Sequence, residues 1–232
     1  MKSLKSLVGG IALSTIASLS FASVISVEAV VTADNHYALY YGTTSSLTHL
    51  DISENEMRNE LGRFNENDPC SGSYNWSCAE TWNFEMQAGD DIYVAAWSDN
   101  SVAQAFIGQF TINGTTYFTE KNDDWAYISG NDDLNSGDDA PDTDTMETVI
   151  SGTSWDPLSS VEHGVSPWGV IAGISTDADW VWGTDNLNGS GSGAGEFQVF
   201  RFSVPVSEPS TLALLGLGLL SLVYTRRRTQ QS

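Results

Sequence analysis

Short segments rich in β-branched and aromatic residues recur along the middle of this chain, and glycine, asparagine or aspartate separates each from the next. Short apolar runs between turn residues are typical of antiparallel strands. The strongest turn signal is Asn113-Gly114, because a type I′ hairpin turn requires positive φ at both central positions. Strands are predicted at residues 36–41, 81–86, 91–97, 104–112, 115–119, 125–129, 146–151, 169–174 and 196–204.

Three further segments refine this pattern. Residues 87–90 contain an Ala-Gly-Asp turn and predict a hairpin between the strands on either side. Residues 196–204 are apolar at both parities, which predicts a central or closing strand buried on both faces. Only residues 53–64 have a helical pattern, with Ser53 and Glu56 as a capping box. The predicted fold class is all-β: an antiparallel β-sandwich, jelly-roll-like, with one short helix.

The chain is strongly acidic, with a formal net charge of −21. No Lys or Arg occurs from residue 122 to residue 200. Nucleic acid is excluded as a partner, because binding it requires clustered cations that neutralise phosphates. An anionic membrane surface is excluded for the domain on the same ground. The acidity suits cations, neutral glycans or a saline medium, and composition alone leaves these three open.

The first 22 residues have the pattern of a secretory signal peptide. Lys2 and Lys5 precede an apolar stretch, and Ser20-Phe21-Ala22 forms a small-x-small cleavage site. Residues 31–33 offer a later site, so cleavage as late as residue 33 stays open. The exported domain is delimited as residues 34–205, and about 170 residues are enough for one hydrophobic core.

The other end of the chain combines a short motif, an apolar run and a basic stop. The apolar run, residues 212–224, covers roughly 20 Å as a helix, whereas a bilayer core is about 30 Å thick. This length predicts a brief stay in the membrane, with the arginines on the cytoplasmic side; an ordinary C-terminal anchor is the alternative. The residues that form the motif and the stop are Val206, Glu208, Pro209, Ser210, Thr211, Arg226, Arg227 and Arg228.

Residues 206–228 resemble the PEP-CTERM sorting signal of Gram-negative bacteria, although Ser207 stands where that motif has its first proline. The resemblance implies recognition by an exosortase, removal of the tail, and release to the cell surface or to an extracellular matrix rich in exopolysaccharide. We therefore interpret the domain as a structural or carbohydrate-binding component of that matrix. The alternatives are a purely structural or adhesive matrix protein without a discrete ligand, and a glycan-active hydrolase.

The chain has two cysteines, Cys70 and Cys78. In an exported protein such a pair predicts a local disulfide, here one that fixes the loop presenting Tyr74 and Trp76. Two free thiols for a metal or redox site are the alternative, but the Cys-x-x-Cys spacing is absent.

Tryptophans beside Asp or Asn are candidates for sugar binding, because an indole stacks on the apolar face of a pyranose while its neighbours bind the hydroxyls. Tyr74, Trp76 and Trp125 are the candidate glycan-binding residues, and a place in the core is the alternative for each. Trp180 and Trp182 share one strand parity and are expected in the core.

The acidic segment at residues 131–144 is a candidate calcium site, because Ca²⁺ takes six to eight oxygen ligands. The EF-hand pattern is incomplete, since Gly137 falls one place late. A solvated loop without metal is the alternative. The candidate ligands are Asn131, Asp133, Asn135 and Asp139.

No catalytic motif stands out, and the protein is not expected to be an enzyme. The three histidines, His36, His49 and His163, form no metal-spaced pair. Glu80 and Glu85 are the candidate carboxylates for glycoside hydrolysis, whose spacing is set in space. Calcium is the only cofactor that the sequence suggests.

Overall fold

The computed structural model describes residues 23–34, 36–50, 75–97, 103–120, 122, 124–133, 139–152, 154–183 and 196–205, without the side chains of residues 75, 131–133 and 196. The predictions for residues 1–22, 53–64, 70, 74, 135 and 206–228 lie outside this description. In chain order the strands are β1 (Val24–Asp34), β2 (His36–Thr43), β3 (Ser46–His49), β4 (Glu80–Gln87), β5 (Asp91–Trp97), β6 (Ala105–Ile112), β7 (Thr115–Phe118), β8 (Trp125–Asp133), β9 (Ser159–Glu162), β10 (Asp179–Trp182) and β11 (Glu196–Phe202). A 3-10 helix, Asn75–Ser77, precedes β4, and the helix α1 (Thr143–Ser151) follows β8.

These strands form two antiparallel sheets. Sheet A has the order β4-β1-β6-β10-β9, with β7 paired to β6, and sheet B has the order β3-β2-β5-β11-β8. The predicted all-β sandwich with a short helix is confirmed. The chain crosses repeatedly between the two sheets. The hairpin at Asn113-Gly114 is also confirmed: φ is 48° at Asn113 and 83° at Gly114, and β6 pairs with β7.

The hairpin predicted at residues 87–90 is wrong. β4 pairs with β1, whereas β5 pairs with β2 and β11 in the other sheet. The burial patterns give the physical reason. β5 is buried almost throughout and occupies the centre of sheet B, whereas β4 alternates between buried and exposed positions and lies at the edge of sheet A. A continuous apolar run fits a strand covered on both faces.

An aromatic cluster fills the space between the sheets. Trp125 lies 5.1 Å from Phe202 and 5.4 Å from Phe110, measured between ring centroids. Phe200 packs on Phe106 at 5.7 Å. β11 also contributes Phe197 to the opposite face of sheet B. This strand is central and buried on both faces, as predicted.

Helix α1 covers the outer face of sheet B. Its Met146, Val149 and Ile150 are buried among side chains that include Tyr40, Tyr93 and Phe197. The strand predicted at residues 146–151 is therefore wrong. The spacing of the three buried residues matches one face of a helix, and the N-cap Asp142 accepts a hydrogen bond from the Thr145 amide at 2.7 Å.

The outer face of sheet A is covered over only part of its length, by the segment at residues 163–178. The strand predicted at residues 169–174 is wrong, because φ is positive at Gly164, Gly169 and Gly173 and the segment folds into turns. The backbone amide of Ile171 donates to Nε2 of His163 at 2.8 Å, and Nδ1 of His163 lies 2.9 Å from the Ser175 carbonyl oxygen. The segment buries Trp168, which stacks on Trp180 at 4.7 Å.

Candidate functional site

The uncovered part of the outer face of sheet A is a largely polar surface, which we call the open face. One row crosses four strands, because Glu28 of β1 pairs with Asn83 of β4 and with Thr111 of β6, and Thr111 pairs with Thr116 of β7. Neighbouring strands lie about 4.8 Å apart, so the row presents polar groups at regular intervals. The open face consists of Ser26, Glu28, Thr81, Asn83, Glu85, Gln109, Thr111 and Thr116, all of them exposed or half-exposed.

Hydrogen bonds within and around the open face hold several of these groups in place. The hydroxyls of Thr111 and Thr116 lie 3.0 Å apart. Oε1 of Gln109 accepts from the Ser175 amide at 2.8 Å. Thr111, Thr116 and Gln109 are therefore held in place before any ligand arrives.

The chemistry of the open face suits a neutral, hydroxylated ligand. It offers donors and acceptors and no cation. Among the described residues Arg201 is the only Lys or Arg, and it lies in sheet B, paired with Tyr93, with its guanidinium 4.4 Å from the ring centroid of Trp155. Polyanions would meet Glu28 and Glu85, and no cation among the described residues of the open face would compensate these charges.

Trp76, the first candidate for sugar binding, lies beside the open face. It is half-buried in the short 3-10 helix, and its carbonyl oxygen accepts from the Thr32 hydroxyl at 3.1 Å. Its side chain packs against the cluster that contains Val30. Val30 pairs with Thr81 and Gln109 of the open face. The structure thus brings Trp76 to the boundary of the polar surface, and its role with a glycan stays a prediction.

Trp125 is a core residue and not a glycan-binding residue. Only 2% of its surface is exposed, and its Nε1 donates to the Phe118 carbonyl oxygen at 2.9 Å. Its ring is enclosed by the aromatic cluster between the sheets, which leaves no face for a sugar. Trp180 and Trp182 are buried, as predicted.

The two candidate catalytic carboxylates do not meet. Glu80 is buried and accepts a hydrogen bond from the Tyr37 hydroxyl, whereas Glu85 is exposed on the open face. Residues an odd number apart on a strand point to opposite faces of the sheet. The Glu80–Glu85 pair therefore cannot flank one glycosidic bond.

The disulfide and the calcium site stay predictions. Cys78 is buried, with 4% of its surface exposed, and Cys70 lies outside the described residues. Of the candidate calcium ligands, Asp139 is exposed, and Asn131 and Asp133 are described only as backbone within β8. The described part of the chain contains no cluster of three or more His, Cys, Asp or Glu that could hold a metal.

A shallow polar groove lies on the other side of the sandwich, between α1 and the turn from β2 to β3. Its volume is about 360 Å³. Glu147 closes one side, where its Oε1 accepts from the Leu47 amide at 2.9 Å. The groove is lined by Thr44, Ser45, Asp144, Glu147, Thr148 and Ser151. The Thr148 hydroxyl donates within the helix to the Asp144 carbonyl oxygen at 2.9 Å. Because the groove lies on the opposite side of the sandwich, it provides a control surface for the open face.

Both ends of the described domain emerge at one end of the sandwich, the terminal pole. Val24 at the start of β1 pairs with Gln87, and Phe202 at the end of β11 pairs with Ile92. Gln87 and Ile92 flank a single turn. The opposite end, the loop pole, contains the ends of β1, β5 and β8.

The last described residues are tied to the terminal pole. The Ser203 amide donates to the Asp124 carbonyl oxygen at 3.0 Å, and the Val204 amide donates to the Asp91 carboxylate. Burial raises the pKa of Asp91 above its ordinary value, although the nearby Arg201 acts in the opposite direction. Burial and the Asp91 charge raise the pKa of Tyr93 to about 12.

The segment that follows these contacts decides how the chain is sorted. Residues 205–228 match the family model of the PEP-CTERM protein-sorting motif. The chain carries a PEP-CTERM motif. The match confirms the resemblance, and with it the assignment of the chain as an exosortase substrate. The PEP-CTERM motif implies export and transient membrane anchoring before sorting.

No curated protein and no solved structure is significantly similar to this chain. Within the described residues no helix is long and apolar enough to cross a membrane. The PEP-CTERM motif begins at Pro205, directly after the residues that tie β11 to the terminal pole.

The sequence contained a signal for the open face that the prediction did not use. Thr81, Asn83 and Glu85 alternate with Trp82 and Phe84, the period-two pattern of a half-exposed strand. The matching pattern in β1 was missed because the leader was predicted at residues 1–22 with cleavage as late as residue 33 left open, so residues 23–33 were not counted in the exported domain.

Proposed function

We propose that this protein is an exported component of the extracellular matrix whose domain binds neutral polysaccharide through the open face. The PEP-CTERM motif at residues 205–228 carries the first half of the proposal, because exosortase sorting supplies the route to the cell surface. The open face supports the second half, since its hydroxyl, amide and carboxylate groups match the hydroxyls of a sugar chain. Trp76 at its boundary offers a ring for stacking.

The geometry of the poles fits this role. While the tail holds the protein in the membrane, the terminal pole faces the bilayer and the loop pole faces away from it. The open face runs along the side of the sandwich, where a long polymer reaches it without entering a pocket. We further propose binding without hydrolysis, in keeping with the separation of Glu80 and Glu85.

The experiment is co-sedimentation of the purified exported protein with exopolysaccharide from its host, in calcium and in chelator. The test variant combines Asn83→Ala on β4 with Thr111→Val on β6, two polar positions of the open face on either side of Glu28 in β1. Each lost hydrogen bond costs about 1 kcal/mol, so the two losses together should lower affinity by about thirtyfold. Thr148→Ala on the control groove should leave binding unchanged.

The other outcomes identify the alternatives. If binding is lost in chelator but is unaffected by the double variant, the binding site would be assigned to the predicted calcium ligands at residues 131–139 and not to the open face. Binding by neither form would reject the glycan proposal and favour a purely structural or adhesive matrix protein. Release of reducing sugar from the polysaccharide would point to the hydrolase.

A further inference from the structure

The first strand fixes where the exported domain must begin. β1 spans Val24–Asp34 and pairs along both of its edges. On one side, Val24 through Val31 pair with β4, and on the other, Val27 through Asp34 pair with β6. β1 therefore joins β4 to the rest of sheet A, and in the described part of the chain β4 has no other strand partner.

The same strand supplies one wall of the core. Its inward side chains are buried in the cluster between the sheets, with at most 6% of their surface exposed: Ile25, Val27, Ala29, Val31 and Ala33. Cleavage after Ala33 would remove all five. It would also expose the apolar side chains of sheet B that pack against them. Because a native protein is only marginally stable, the domain would not stay folded after this loss.

The residues at the start of β1 are exposed to solvent, unlike the buried residues further along the strand. Ser23 is exposed, and 53% of Val24 is exposed. The Ser23 carbonyl oxygen accepts from the Ala88 amide at 2.9 Å, so the strand is anchored from its first residue. An amino group created at Ser23 would lie in water at the terminal pole, where a charge needs no partner.

We propose that the leader is removed by hydrolysis of the peptide bond between Ala22 and Ser23, and that the mature domain starts at Ser23. Water supplies the hydroxyl that completes the Ala22 carboxylate and the proton that completes the Ser23 amine; the catalyst is the signal peptidase of the export route. Ser20 and Ala22 provide the small residues that such a peptidase accepts. The alternative site at residues 31–33 has the same small-residue pattern, but it lies inside β1, so cleavage there would cut the strand.

This processing site has a consequence for topology. Ser23, which directly follows the leader, and Val204, which directly precedes the PEP-CTERM motif, both lie at the terminal pole, so the two signals adjoin the same end of the sandwich. The inference depends on export and is independent of glycan binding.

The test is the N-terminal sequence and intact mass of the full chain exported by a Gram-negative host. The expected N-terminus is Ser23. An N-terminus at Asp34, or a surface form that retains Met1, would overturn the proposal. Two variants sharpen the assignment. Ala22→Arg should accumulate as uncut precursor, whereas Phe21→Leu, a change at the neighbouring position, should be processed like the wild type.

A second measurement separates processing from folding. Chains that start at Ser23 and at Asp34, both made without a leader, are compared by urea denaturation. The Ser23 chain should unfold in one cooperative transition, and the Asp34 chain should show none. Equal transitions for the two chains would remove the structural basis of the proposal, as would normal cutting of the Ala22→Arg variant.

Discussion

The outer faces of the two sheets differ in what covers them. The outer face of sheet B lies beneath α1 and buries Tyr40, Tyr93 and Phe197 completely. The outer face of sheet A is covered only where the segment at residues 163–178 crosses it. β1 shows the change within one strand: its positions alternate between exposed and buried up to Ala29 and are all buried from Val30 onward. A strand's pattern therefore reports what covers each of its faces, position by position.

The largest expected effect tests the covered face of sheet B. Phe197→Ala should lower the free energy of unfolding by about 3–5 kcal/mol, because it leaves a cavity beneath α1. Urea denaturation measures the loss, and Phe197→Leu should cost much less because it keeps most of the volume. A loss below about 1 kcal/mol for the alanine variant would show that α1 does not pack tightly on the sheet.

The next effect tests the join between the covered and open parts of sheet A. The fully buried hydroxyl of Thr119 accepts from the Gly108 amide at 3.1 Å and lies 2.7 Å from the Asp179 carbonyl oxygen, to which it donates. Thr119→Val keeps the shape and leaves these groups unsatisfied, at a cost of about 1–3 kcal/mol. Thr119→Ser, which retains the hydroxyl, is the matched control. Equal stability of the two variants would contradict the bridging role.

A smaller, pH-dependent effect tests the terminal pole. The raised pKa of Asp91 means that the folded state favours the protonated carboxyl. Stability from this group is present below its unfolded pKa and is lost as pH rises through the higher folded pKa. Asp91→Asn cannot ionise, so its stability should increase relative to the wild type over that acidic interval. If the wild type and Asp91→Asn give parallel curves of unfolding free energy against pH, the raised pKa of Asp91 in the folded state is disproved.

The smallest effect on stability is expected on the open face. Thr111→Val should change the free energy of unfolding by no more than about 0.5 kcal/mol, since both residues suit an exposed strand position. Its effect should appear in polysaccharide binding. A large loss of stability with unchanged binding would show that the open face serves the fold and not a ligand.

The predictions that failed share one physical cause. The turn at residues 87–90 was correctly located, but nothing local shows whether a turn returns to the same sheet or crosses to the other. Residues 146–151 have β-branched residues that suit a strand, and the capped helix prevails because Met146, Val149 and Ile150 face a buried sheet. For Trp125 a glycan-binding role and a place in the core were both open, and its packing against Phe110 and Phe202 decided for the core. In each case a partner distant in sequence decided the outcome.

The sequence by itself determined the PEP-CTERM motif, the all-β class, the Asn113-Gly114 hairpin and the double burial of β11. Each depends on residues close together in the chain: a motif, a period of two, a turn that needs positive φ. Tertiary structure alone decided that β1 lies inside sheet A, that Glu80 and Glu85 face opposite ways, and that both ends of the domain share one pole. Those facts depend on strand pairing between residues far apart in sequence, and the energy of such pairing comes from burial that no local pattern specifies.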